Sequence, residues 1–117
     1  MSDFKTLDSG ERETFPSGMV RDTRTGKGRF DLISPYALLR LAQVYERGAV
    51  KYEEYNWLKG SSYMRFIDSA LRHIQQWEMG MRDEDHLAAA SWNLFCVMHF
   101  EETGRDDLDD RRWGQSE

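Results

Sequence analysis

From Ser34 onward the chain carries apolar residues at helical spacing, and before that point it does not. Leu38, Leu41, Ala42, Tyr45, Ala49 and Tyr52 recur in steps of three or four, the period of one helical face. Ser34 followed by Pro35 predicts the start of this first helix: a side chain that caps free amides, then a residue that has none to cap. Its end is expected between Tyr52 and Asn56, with Trp57, Gly60 and two serines in the loop that follows. A second helix is predicted from Ser62 to Met79, with Tyr63, Phe66, Ile67, Ala70, Leu71, Ile74 and Trp77 inward and Gly80 as its stop. A third opens near Asp83, where acids suit the positive end of the helix dipole. From Leu87 to Phe100 it is apolar almost all round, which predicts the central and most buried helix.

The flanks read differently. Residues 1–14 are polar without a steady period and are expected to form a flexible arm. Phe15 to Ile33 is rich in glycine and turn formers, and no strand alternation of useful length is visible. The charged tail, 104–117, holds an isolated Trp113 and is expected to be either disordered or a clasp onto a neighbouring subunit. The domain proper is therefore placed at 15–103. The fold class is all-α: a small bundle of about three main helices with an irregular N-terminal arm, completed by oligomerisation.

A chain of 117 residues with 39% hydrophobic and 13% aromatic positions supports one domain with a modest core. Self-association, as a homodimer or homotetramer, is a common way for such a chain to bury its remaining apolar surface. The net charge of −5 argues against a nucleic acid polymer as partner. No apolar run is long enough for a membrane span, and the lone Cys96 sits in an apolar run, so a reducing cytoplasm is expected.

Candidate chemistry falls into four places. Arg21, Arg24, Lys27 and Arg29 crowd a glycine-containing loop with Asp22 as the acid among them, either a solvated loop or a grip on phosphate. Glu46 shares a stripe with Leu39, Ala42 and Ala49, at the edge of the first helix's core face. It is either a surface glutamate or a hard oxygen ligand for Mg²⁺. Lys51 beyond it is a phosphate contact or an end charge. On the second helix His73 flanks the apolar face, beside Arg72, which lies four residues after Asp68 in good geometry for an ion pair. On the third, His86 and Asn93 share a stripe, and Asp83, Glu84 and Asp85 precede them. Asn93 is either interhelical glue or a residue that orients a ligand. No Walker loop, dinucleotide fingerprint or Cys-x-x-Cys pair is present, and no serine stands in a nucleophile-elbow context. The histidine neighbourhoods also lack the His-Asp dipeptide of the helical HD phosphohydrolases.

Taken together, GMVRDTRTGKGRFDLIS, ALLRLAQVYERGAVKYEEYNW, SALRHIQQWEMG and DEDHLAAASWNLF resemble the phage-type dATP/dGTP diphosphohydrolases, relatives of the MazG-like all-α pyrophosphohydrolases. The resemblance covers about Ser17 to Glu101. It implies cleavage of a purine deoxynucleoside triphosphate at the α–β bond, giving monophosphate and pyrophosphate, with Mg²⁺ or Mn²⁺ held by side chains on two helices. Carried onto this chain, it implies Glu46, Glu84, Asp85 and His86 as metal ligands and Glu46, His73 and Asp85 as catalytic groups. Arg21, Lys27, Arg29, Lys51 and Arg72 would meet the triphosphate, and Asn56, Trp57 and Asn93 would shape the base and sugar pocket. One departure stands out: where MazG-like enzymes pair E-x-x-E with E-x-x-D, the third helix has His86 and Ala89. The same residues leave open a non-catalytic helical module that binds nucleotide or protein, and a phosphohydrolase that releases triphosphate or phosphate.

Overall fold

A computed structural model of the chain describes residues 3–114. The first two residues of the expected arm and the last three of the tail lie outside them. Two compact units divide at Ile33 and Ser34. The N-terminal unit contains an antiparallel hairpin, β1 (Arg12–Thr14) paired with β2 (Val20–Asp22), with Arg12 opposite Asp22 and Thr14 opposite Val20. These strands carry no legible alternation in the sequence, because three residues are too few to display one. β1 also falls inside the expected arm. Asp22 ties the unit together, accepting from the Ser9 hydroxyl at 2.5 Å and from Lys27 Nζ at 2.8 Å.

In the second unit, α1 (Pro35–Lys51), α2 (Tyr63–Glu78) and α3 (His86–Glu102) carry the all-α fold. The Ser34 hydroxyl accepts from the Ala37 amide and Pro35 occupies the first turn, as their order in the chain predicts. Gly80 closes α2 with φ +83°, donating to Trp77 O. α3 begins at His86, three residues later than expected. The reason is local: Asp85 accepts from the Ala88 amide and is itself the cap, so Asp83 and Glu84 precede the helix.

α3 packs against both α2 and α1. Tyr63, Phe66, Cys96 and Phe100 form the buried cluster, with Trp57, Trp92, Val97 and Leu108 against it. Each fully buried large side chain there stabilises the fold by about 1.5–3 kcal/mol. The predicted core face of α1 is corrected: Leu41 is buried and Tyr45 and Ala49 are half-buried, but Leu38, Ala42 and Tyr52 are exposed. Leu71, Ile74 and Trp77 of α2 are exposed too. α1 and α2 pack chiefly on α3 and far less on each other, which leaves their outer flanks uncovered. On α3 itself Leu87, Leu94, Phe95 and Met98 remain at the surface.

The described part of the tail belongs to this unit. A short 3₁₀ turn at Asp106–Leu108 folds back so that Leu108 reaches the core. The Tyr63 hydroxyl donates to Arg105 O at 3.1 Å, and the Met64 amide donates to Asp110 Oδ1 at 3.0 Å. Gly60 makes this docking possible. Its φ of +83° and ψ of 160° suit glycine alone, and a Cβ there would lie 2.8 Å from Leu108 Cδ1. The clasp is thus made onto the chain's own core.

Candidate functional site

The loop that ends α2 and the cap that starts α3 bring the ionisable residues together. His86 opens α3 with its ring turned inward, 2% exposed. Its Nε2 lies 2.8 Å from Asp83 Oδ1. A carboxylate only accepts, so Nε2 carries the proton and Nδ1 faces the other way. There it meets His73 Nδ1 at 2.9 Å, with the rings tilted by 38°. Glu84 adds a carboxylate, and the three donor atoms of His73, Glu84 and His86 lie within 4.8 Å of one another. Burial holds the His73 ring below its usual pKa, partly countered by the Glu84 charge. The hydrogen bond from His86 holds Asp83 below the usual carboxylate range.

One residue along, Asp85 is fully engaged. Arg40 of α1 grips it in a two-pronged ion pair, Nε to Oδ2 at 2.8 Å and Nη2 to Oδ1 at 2.6 Å. That guanidinium is the main reason the Asp85 carboxyl sits below its ordinary pKa, and Asp85 in turn raises Arg40.

Beside these groups runs an open groove of about 1450 Å³, walled by the C-terminal half of α1, the turn after it and the α2–α3 connection. Arg40, Arg47, Lys51 and Arg82 line it together with the carboxylates Glu46, Glu53, Glu54, Asp83, Glu84 and Asp85. Tyr45, Tyr55, Trp57 and Trp92 supply aromatic surface. Trp57 is packed edge-on by Tyr45 and by His99, with ring centroids 6.0 and 5.0 Å away. Tyr55 precedes the 3₁₀ turn Asn56–Lys59 in the left-handed region, at φ +60°. A bulky residue there is strained, and its carbonyl takes up the Leu58 amide at 3.0 Å. Such a groove offers anion contacts, cation ligands and stacking faces within one opening.

Of the residues singled out from the sequence, Glu46, Lys51, Asn56, Trp57, Glu84, Asp85 and His86 line this groove. His73 joins it through His86. Lys51 lies over the Tyr52 ring, 5.2 Å from its centroid. Arg72 and Asn93 are placed elsewhere. Arg72 pairs with Asp68 at 3.2 Å, as their spacing predicts, and leans on Ser69. Asn93, 4% exposed, donates to Ala89 O at 2.9 Å and to Ser69 Oγ at 3.3 Å, a bond that ties α3 to α2. Arg21, Lys27 and Arg29 belong to the N-terminal unit, where Lys27 pairs with Asp22 and Arg29 with Asp31. Arg40, Tyr55 and the Asp83–His86 pairing were not singled out. Only the short spacing of Asp83 and His86 hinted at any of them.

Comparison with curated proteins and with solved structures yields no match. The sequence model of one family, described as dATP/dGTP diphosphohydrolase, N-terminal, matches residues 17–111 and so covers β2, the basic loop after it and the groove. The chain therefore belongs to the dATP/dGTP diphosphohydrolase N-terminal family.

Proposed function

We propose that the chain hydrolyses dATP or dGTP at the α–β bond, releasing the monophosphate and pyrophosphate, in the groove beside α1. The observation that carries this reading is the joining of four cationic side chains, a histidine–carboxylate cluster and an aromatic wall in one opening of a family member. Arg40, Arg47, Lys51 and Arg82 are suited to the triphosphate. Trp57 and Tyr55 are suited to the face of a purine, with Asn56 at its edge. Glu84 and His86 are the groups on which a divalent ion would rest, with Glu46 on the same groove. When bound, such an ion neutralises charge on phosphate oxygens and lowers the pKa of its water. Asp85 holds Arg40 at the groove and fixes the start of α3. His73, beside Glu84 and His86, is placed to complete or orient the shell around that ion. Arg21, Lys27 and Arg29 remain candidate phosphate-binding residues within their own unit, and an unchanged KM in Lys27→Ala would remove them. A homodimer or homotetramer working on the cytoplasmic nucleotide pool fits the uncovered Leu87, Leu94, Phe95 and Met98.

The test is incubation of the protein with dATP, dGTP, dCTP and dTTP separately, with Mg²⁺, Mn²⁺ or chelator, and separation of products by anion exchange. Monophosphate and pyrophosphate from the purines, lost with chelator, is the expected result. Release of triphosphate or inorganic phosphate instead, or no turnover at all, overturns the reading.

A further inference from the structure

The donor set at the end of α2 is wrong for magnesium. Mg²⁺ takes oxygen ligands in a near-ideal octahedron, whereas two of the three donors here are imidazole nitrogens. Imidazole suits zinc, copper, iron and nickel, whereas magnesium prefers carboxylate, carbonyl and water oxygens. We propose that His73, Glu84 and His86 form a site for one divalent transition ion, with Asp83 as the residue that aims His86.

Three features of the geometry carry this. The first is direction. Because Asp83 holds the proton of His86 at Nε2, the lone pair of Nδ1 points at His73 Nδ1. A histidine that ligates a metal commonly has its far N–H fixed by a carboxylate in this way. The second is spacing. Nitrogens bound at about 2.0–2.1 Å to a tetrahedral zinc lie about 3.3 Å apart. The two Nδ1 atoms stand at 2.9 Å, so an opening of a few tenths of an ångström admits the ion. The third is access. His86 is buried, while Glu84 is exposed on the groove, so that water or a phosphate oxygen could reach an ion held there. A buried and a half-buried histidine that merely share a proton would show none of the uptake that follows from this assignment.

The inference deepens the hydrolase reading and rests on it only in placing the ion at the reaction centre; the binding itself stands on the side chains. It is tested with the full chain, stripped with chelator and titrated with Co²⁺ while visible absorption and equilibrium dialysis are followed. One Co²⁺ per chain is expected, displaced by Zn²⁺ and undisturbed by a large excess of Mg²⁺. Glu84→Gln and His73→Gln should each weaken Co²⁺ binding by about 100-fold or more, and Asp83→Asn by about 10- to 100-fold. Glu84 and Asp83 are exposed, so those variants remain informative if His73→Gln destabilises the fold. Absence of a cobalt spectrum, displacement by Mg²⁺, or unchanged affinity in both Glu84→Gln and His73→Gln overturns the site. Co²⁺ bound at these residues without cleavage of any triphosphate overturns the hydrolase reading and leaves the site intact. Mg²⁺-supported cleavage by a chain that takes up no Co²⁺ does the reverse.

Discussion

Arg40 and Asp85 meet through two hydrogen bonds across 45 positions of the chain, and the same carboxylate caps α3. Asp85 therefore joins α1 to α3 and sets where α3 begins. Asparagine keeps the capping oxygen but not the charge. Asp85→Asn is expected to lower the melting temperature by only about 5 °C, since an exposed pair contributes about 1 kcal/mol at most. Turnover should fall much further, because Arg40 is released from its place at the groove. Thermal melts and dNTP hydrolysis on one preparation decide it; parallel losses would make Asp85 purely architectural.

Asn93 separates glue from ligand contact. Its amide binds Ser69 and the Ala89 carbonyl inside the α2–α3 packing. Asn93→Ala is expected to cost about 1–3 kcal/mol in urea unfolding. KM for the triphosphate should stay within about two-fold of the parent, under 0.5 kcal/mol in binding terms. A raised KM at unchanged stability would return Asn93 to the substrate site.

Gly60 is where the tail docks. Gly60→Ala places a Cβ against Leu108 and forces a conformation open to glycine alone. A loss of about 1–3 kcal/mol is expected. Pairing it with Leu108→Ala should recover part of that loss, because the clash disappears. A strictly additive double variant in urea unfolding would show that Leu108 does not rest on Gly60.

Cys96 is fully buried, and burial pushes its thiol from 9.0 up to about 12. The folded thiol thus holds its proton where an unfolded one has lost it. The stability it contributes is complete below pH 9.0 and is lost as pH rises toward about 12, the unfolded chain binding fewer protons in that window. Ellman's reagent at pH 8 should label the denatured chain at once and the native chain only at the rate of opening. Rapid labelling of native protein would contradict the burial.

The three helices were legible because their signals are local. Ser34 and Pro35 start α1 through groups within one turn, Gly80 stops α2 through its own backbone, and Asp68 and Arg72 meet along one helix. The hairpin escaped notice because its strands are three residues long. Helical period marked Leu38 and Ala42 as inward, but periodicity reports an apolar face and says nothing of whether a neighbour covers it. In the site, Glu46, Lys51, Glu84 and His86 were foreseeable as residue types, whereas Arg40 was not. Its role depends on Asp85, far away in sequence. The meeting of His73 with His86 likewise depends on how α2 returns onto α3.

That return is short, and this has a kinetic consequence. His73 and His86 are separated by 13 positions, and both lie in the helical hairpin whose mutual packing is the most extensive in the fold. Contacts of such low sequence separation lose little chain entropy on closing and form early when a protein folds. The imidazole pair would then be assembled while α1 is still finding its place against α3. The groove, which needs both, would be the last part of this unit to take shape.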